Sequence, residues 1–495
     1  MTAPWTVQTL TAALDRGEIS AEAVARQSLA RMAAEDGRLN AVITPNERLL
    51  EEARAIDLRR AAGEALGPLA GVPVLVKDTM NMAGLPTTGG WSKLSARAGG
   101  VDLVPLRDSP VVARMRAAGA LLLGKTNVPV MSASGTNAND SWAGPTLNAI
   151  APERAPGGSS AGSATGVAAG YAVIGLAEET GGSIQNPAAA QGLVGIKPTF
   201  GLVPNSGVMP LAGSTRDVVG PVAMTVMDAA IALDVLAGYT AEDPKTVAGI
   251  GQRPPGGYAG SIRPGALKGK RLGLYGAGWR HGALSPETAA LFAQACDGLR
   301  ALGAELVEDP FAGSGFADLA CFISALPYDP RGEESVVHDL DRYLLAFGDS
   351  SPVHSLESLR AVTGVDPFDR AGPLGYLWEM EQFPALVASY RDVPNLSAFR
   401  AIREDYLWLF NRVMAQHRLD GMVMPQTRAE PPLLFSPDPI LETAVSEINI
   451  AGLPGVTVPA GLYPSGAGFG LLFTGPLWSE GLLLSFAAEY EAITC

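Results

Sequence analysis

Residues 156–189 read PGGSSAGSATGVAAGYAVIGLAEETGGSIQNPAA. The middle of the stretch, YAVIGLAEE at 171–179, is an apolar run without alternation that ends in two carboxylates. A strand that is apolar on both faces is buried on both faces, which requires a sheet covered by helices on each side. A Gly-Gly-Ser corner stands on either flank, Gly157-Gly158-Ser159 and Gly181-Gly182-Ser183, 24 residues apart. Such a turn after a strand presents consecutive backbone N–H groups toward one point. That geometry suits an anion, either a phosphate or the oxyanion of acyl transfer.

The same texture recurs outward from this stretch. GPLAGVPVLVKDTM (67–80), the end of RMRAAGALLLGKTNVPV (114–130), KGKRLGLYGAG (268–278), AELVEDP (304–310), DGMVMP (420–425) and LPGVTVPAG (453–461) all read as strands. Helices are expected between them. Ser20 can cap one whose Val24, Leu29 and Met32 recur at helical spacing. A second is expected over 45–60, with Pro45 at its start and Glu47, Glu51 and Glu52 in its first turns, and a third over 285–302. Strands alternating with helices predict an α/β fold with one large sheet. No internal repeat is visible, so a single domain over 1–495 is expected: a helical N-terminal segment (1–65), a core (66–240), a strand-helix and covering region (268–420), and C-terminal strands and helix (421–495). Residues 241–267 are a Pro/Gly-rich connection. Residues 311–410, with Tyr328, Tyr343, Tyr376, Trp378 and Phe383, read as a helical, irregular cover.

Composition narrows the chemistry. The 495 residues carry a formal charge of −14, which argues against an extended nucleic-acid footprint. Glycine and proline (58 and 38) make up about one residue in five, against roughly one in eight in an average protein, so turns and close backbone approaches abound. Three cysteines (Cys296, Cys321, Cys495) fit a reducing compartment better than a disulfide scaffold. No CxxC or HxxxH spacing occurs, so no metal site is expected. The N-terminus shows no basic segment followed by an apolar core, and no run approaches 18 apolar residues. A cytoplasmic protein without a membrane span is expected.

The two Gly-Gly-Ser corners leave three chemistries to separate. A phosphate loop of the form G-x-x-x-x-G-K-[ST] is missing. GLYGAGWRHG (273–282) has Gly276 and Gly278 but His281 where a dinucleotide loop needs its third glycine, so it reads as a strand-to-helix turn. A Ser-His-Asp hydrolase lacks its G-x-S-x-G elbow at either serine, and His281, His338, His354 and His417 all lie far along the chain. The base must be sought elsewhere. Lys77 ends the buried run LAGVPVLVK, and burial favours a neutral amine that can accept a proton.

GVPVLVKDTM (71–80), LLLGKTNVPV (121–130), PGGSSAGSA (156–164), ETGGSIQNPAA (179–189), GLVGIKPTFGLVP (192–204) and NIAGLPGVTVPAG (449–461) together resemble the amidase signature hydrolases, in that family's order. The resemblance spans nearly the whole chain. It implies a single large mixed β-sheet sandwiched between helices. It also implies Ser183 as nucleophile, Ser159 as a bridging serine on a cis peptide, and Lys77 as the ultimate base. The amides of Thr180, Gly181, Gly182 and Ser183 would form the oxyanion hole, supported by Ser160, Glu179, Gln185 and Asp217. Chemically, a serine needs a base within reach, and a second hydroxyl can relay the proton to a lysine that cannot touch it.

Departures from the family pattern stand close to the nucleophile. Glu179 and Gln185 occupy the positions of Asp and Arg in D-T-G-G-S-I-R, which changes the partners available to Asp217. Ala161 stands where glycine is common, and Asn148-Ala149 replaces Asn-Pro. Lys125 and Lys197 match family positions and read as structural, and Cys321 as a small buried hydrophobe. The implied activity is hydrolysis of acyl C–N bonds, in linear amides, aryl amides or carbamates, as in a urethanase. The alternative is the ammonia-releasing component of an amidotransferase, which would take ammonia from glutamine for a tRNA-linked acceptor. No cofactor is expected. The substrate would be a small amide or carbamate, and a homodimer is compatible with the reading. Val130, Met131 and Ser132, together with Gly207, Val208 and Met209, should line its pocket. The aromatic residues Tyr328, Tyr376, Trp378 and Phe383 in the cover suggest room for an apolar or aryl group.

Overall fold

The computed structural model describes residues 5–133, 139–324 and 331–494, apart from the side chains of 321–324 and Ser446. The strands are β1 (Val42–Pro45), β2 (Pro73–Lys77), β3 (Leu121–Thr126), β4 (Ile174–Glu179), β5 (Val194–Lys197), β6 (Val218–Ala223), β7 (Arg271–Leu274), β8 (Glu305–Val307), β9 (Gly421–Pro425), β10 (Gly455–Leu462) and β11 (Gly468–Thr474), and seven of them, β2, β3, β4 and β7 to β10, lie in the runs read as strands. Among the described residues these eleven form one sheet, in the order β1-β3-β2-β4-β6-β5-β10-β11-β9-β7-β8. β2 runs parallel to β3 and β4, while β6, β5, β10 and β11 form an antiparallel centre. The sheet is therefore mixed, and helices cover it, as the sequence texture requires.

The flanking core explains the pattern. Val74, Leu75, Val76, Leu122, Ile174 and Leu176 are all fully buried. Each such side chain contributes about 1.5–3 kcal/mol relative to exposure. Ser20 caps the helix Ala21–Leu39 by accepting from the Ala23 amide at 3.1 Å, and Ser285 caps Pro286–Ala301. The expected helix over 45–60 begins later, at Leu49. Pro45 instead ends β1, opposite Gly124. β1 is an edge strand, where a proline without an N–H costs the ladder nothing.

Strands β1, β5, β6 and β11 escaped the sequence reading. β6 contains Gly220 and Pro221, residues that weaken any strand signal, yet Pro221 pairs with Leu176 in the middle of the sheet. In the cover, the helices Phe316–Ser324, Val336–Leu345, Leu356–Thr363, Phe383–Ala388 and Ser397–His417 appear where the sequence is irregular. Tyr328 and the Cys321 side chain lie outside the described residues. The 273–282 loop is closed by the protein itself. The Gly278 amide donates to the Asp309 carboxylate at 3.1 Å, and a Cβ on Gly278 would lie 2.2 Å from the Ala312 nitrogen. No phosphate cradle remains there. Among the described residues, no helix is long and apolar enough to cross a membrane.

Candidate active site

Because β2 and β4 are parallel, their C-terminal ends emerge at the same edge of the sheet. Lys77 ends β2, and Glu178 and Glu179 end β4. Both Gly-Gly-Ser corners gather at that edge. Lys77 is fully buried, and its Nζ donates to Ser159 Oγ at 2.7 Å and to the Glu178 carbonyl at 3.2 Å. The Glu178 carboxylate Oε2 stands 3.4 Å from the same nitrogen and accepts from Thr79 Oγ1 at 2.8 Å. The Gly158–Ser159 peptide is cis. The Ser160 amide donates to the Ser183 carbonyl at 3.3 Å, which ties the two corners together, and its hydroxyl donates to the Glu178 carbonyl. Burial lowers the Lys77 pKa, while the carboxylates of Glu178, Asp217 and Glu179 pull it back up.

At the second corner Gly182 has φ +90°, a left-handed backbone that strains any other residue, and a Cβ there would also crowd the Asn186 side-chain Nδ2 at 2.5 Å. Only glycine fits. Among the described residues, the N–H groups of Gly181, Gly182 and Ser183 donate to no protein acceptor, so three adjacent donors are left for a ligand oxygen. Thr180 anchors this turn from both sides. Its hydroxyl donates to Asp217 Oδ1 at 2.5 Å, and its carbonyl accepts from Arg216 Nε and Nη2 at 3.1 and 2.9 Å. The Leu211 and Ala212 amides also bind Asp217, whose pKa burial and the nearby Glu178 raise to about 7. Ser183 itself is 8% exposed.

Glu179 faces the other way from Glu178, as alternate strand residues must. Its carboxylate accepts from the Ile184 amide (2.8 Å), the Gln185 amide (3.1 Å), Gln185 Nε2 (2.5 Å) and Asn449 Nδ2 (2.9 Å). A neutral amide is thus the side-chain partner of Glu179 at position 185, while Arg216 grips the 180–183 turn at the Thr180 carbonyl. Gln185 is fully buried, and its Oε1 lies 3.1 Å from where a Gly455 Cβ would stand. Gln185→Arg alone is therefore expected to destabilise by about 2–3 kcal/mol through overpacking. Adding Glu179→Asp, which shortens the partner, should recover at least half of that. A denaturation double-mutant cycle checks it, and simple additivity would contradict the coupling.

The remaining expected positions divide. Val130–Ser132 forms a tight turn in which Met131 (φ 50°) donates its amide to the Gly89 carbonyl at 2.6 Å. Met209 packs where a Gly89 Cβ would stand, and its amide donates to the Thr79 carbonyl at 2.7 Å, which links it to the Lys77 neighbourhood. Met131, Met209 and Phe383 belong to the apolar cluster beneath the cover, with Trp378 packed against it. Trp378 and Phe383 meet edge to face with ring centroids 5.5 Å apart, so they serve the interior of the cover, and Tyr376 is half-exposed. Lys125 is a buried partner of Asp78 at 3.0 Å, and Lys197 donates to the Leu453 carbonyl at 2.7 Å. His338 bonds to the Tyr390 carbonyl, His354 to the Ser351 carbonyl and His281 to Asp318; among the described residues none of them hydrogen-bonds to either serine corner. The sequence reading missed Glu178, Thr79, Arg216 and Asn449. Of these, Glu178 carried a signal: two acids close a strand that is otherwise entirely buried and apolar.

A family model described as Amidase matches residues 23–484. The A component of the glutamyl-tRNA(Gln) amidotransferase from Moorella thermoacetica is 34% identical, over 99% of this chain and 96% of the relative. The native peptide amidase from Stenotrophomonas maltophilia superposes with a TM-score of 0.79 at 31% identity, covering 99% of this chain and 97% of that one. A bacterial aryl acylamidase of the amidase signature family gives 0.78 at 25% identity, covering 99% and 97%. Sequence order, sheet and full-length similarity agree, and the chain belongs to the amidase family, the amidase signature enzymes.

Proposed function

We propose that this amidase-family enzyme cleaves acyl carbon–nitrogen bonds through an acyl-enzyme on Ser183. The observation that carries the reading is the buried Lys77 Nζ held 2.7 Å from Ser159 Oγ, beside a corner that offers Ser183 and three unpaired amides. Neutral Lys77 takes the Ser159 proton as Ser159 takes that of Ser183, and Ser183 Oγ adds to the substrate carbonyl. The developing oxyanion is received by the N–H groups of the 181–183 turn. The proton returns along the same path to the leaving amine, and water repeats the sequence to release the acid. Catalytic hydrogen bonds are often longer in a free enzyme and tighten around the substrate. A panel of anilides, primary fatty amides, peptide amides and aryl carbamates on the purified chain tests the reading. Hydrolysis of one of them, abolished by serine-directed labelling of Ser183, is the expected result.

The full-length similarity to the glutamyl-tRNA(Gln) amidotransferase component favours a second setting for the same chemistry. There the amide is that of glutamine, and ammonia passes to an acceptor held by companion chains. Glutaminase activity that appears only with such companions would assign this setting. Turnover of the panel by the single chain would assign the first.

The base fixes the pH dependence. Lys77 accepts a proton only when neutral, so kcat/KM should rise with pH through its burial-lowered pKa and level off above it. A profile flat from pH 5 to 10 would remove Lys77 from the role.

A further inference from the structure

Lys77 takes up a proton at a fully buried position, where the resulting ammonium is shielded from bulk solvent. A buried ammonium without a counter-ion costs several kcal/mol, so a fully buried lysine of this kind is a weak base. The charged groups around it come from four strands and the cover. On its own strand end, Asp78 is held by Lys125 at 3.0 Å and by Thr88. On β4, Glu179 is fully engaged with Ile184, Gln185 and Asn449 on the opposite face. Before β6, Asp217 is bound by Thr180, Leu211 and Ala212, and Arg216 is bound to the Thr180 carbonyl. On β5, Lys197 is occupied by the Leu453 carbonyl, and from the cover Tyr343 donates to Asn81 at 2.7 Å. Glu178 differs from all of these. Its carboxylate is directed at Lys77 Nζ at 3.4 Å, is almost fully buried, and is steadied by the Thr79 hydroxyl on its other side.

We propose that Glu178 is a positioning residue for the base: its carboxylate is the counter-ion that receives the ammonium formed when Lys77 takes the serine proton, and keeps that ammonium aimed at Ser159. No bond is made or broken at Glu178. The proton travels from Ser183 through Ser159 to Lys77, and the carboxylate stands beside it. The pair makes Lys77 a stronger proton acceptor than burial alone would allow. In exchange, the serines become reactive at a higher pH than they would beside a neutral residue.

This inference rests on the Ser183–Ser159–Lys77 reading, and the test separates the two. The rate of Ser183 labelling by a fluorophosphonate, followed by mass spectrometry from pH 5 to 10, needs no knowledge of the substrate. An opposite charge at this distance moves a pKa by about 1–3 units. Glu178→Gln should therefore shift the labelling midpoint at least one unit toward acid, with the alkaline plateau falling less than about tenfold. Glu178→Asp should keep the midpoint near that of the unaltered protein. Glu178→Met serves as the second neutral variant, and thermal melting establishes that each variant is folded. A midpoint that moves by less than about half a unit in folded Glu178→Gln or Glu178→Met overturns the proposal. So does loss of the fold in both neutral variants, which would assign Glu178 to stability. Equal labelling of Ser183→Ala would instead sink the underlying catalytic reading.

Discussion

Replacing Ser183 by alanine is expected to lower kcat for any amide the enzyme turns over by about 10^4–10^6-fold, because no other group can supply the missing covalent step. That corresponds to about 5–8 kcal/mol of transition-state stabilisation. The fold should scarcely register the change. The Ser183 hydroxyl makes no hydrogen bond among the described residues, and the turn is held through the backbone of its neighbours and the Thr180 side chain. A small truncation of this kind costs at most about 0.5 kcal/mol. The pairing of near-total loss of turnover with an unmoved melting curve is what distinguishes a nucleophile from a packing residue. Steady-state rates and thermal melts on the same preparation check it, and a variant that keeps even a tenth of the activity would exclude the acyl-enzyme.

What the sequence made legible follows from how each feature is written into the chain. Strands β2, β3 and β4 are continuous apolar runs, so their burial on both faces could be read directly. The corner at Gly181-Gly182 was legible because the backbone there tolerates no side chain, and φ +90° at Gly182 is the reason. β6 was not, because Gly220 and Pro221 break the pattern, and its place is fixed by pairing with β4 instead of by its own propensity. The cover was legible only as a composition: its aromatic residues pack on one another, and nothing local says which of them face a ligand.

The site divides along the same line. Lys77 and the serines sit in motifs, whereas the groups that tune them come from distant segments. Arg216 reaches the Thr180 carbonyl, and Asn449 reaches Glu179 across the fold, contacts for which the local sequence carries no trace. Glu178 is the intermediate case. Its oddity is visible as a second acid at a buried strand end, but its partner becomes apparent only when β2 and β4 lie side by side.

That arrangement makes Lys77→Met the most informative change after Ser183→Ala. Activity should fall by about 10^2–10^4-fold, the usual loss when a general base is removed. Combining it with Ser183→Ala should cost little more than Ser183→Ala alone, since the residues act as a unit. Stability should fall too, because Glu178 and Asp217 are left buried near each other without the lysine's positive charge. Breaking a buried pair on one side costs about 3–5 kcal/mol. In the variant the Asp217 carboxyl, already raised to about 7 by burial and the nearby Glu178, loses the lysine's charge as well and is driven further above its unfolded pKa. A carboxyl whose pKa is raised by folding binds its proton more tightly in the native state, so native stability rises as pH falls through the raised pKa. The deficit of Lys77→Met should therefore be largest at pH 8 and should shrink by pH 5.5, as read by urea unfolding at the two values. Lys77→Met/Glu178→Gln should regain at least half of the lost stability at pH 8 and none of the lost activity. A deficit that is the same at both pH values would mean that Lys77 stabilises the site by packing alone, and that the carboxylates around it carry no uncompensated charge when it is gone.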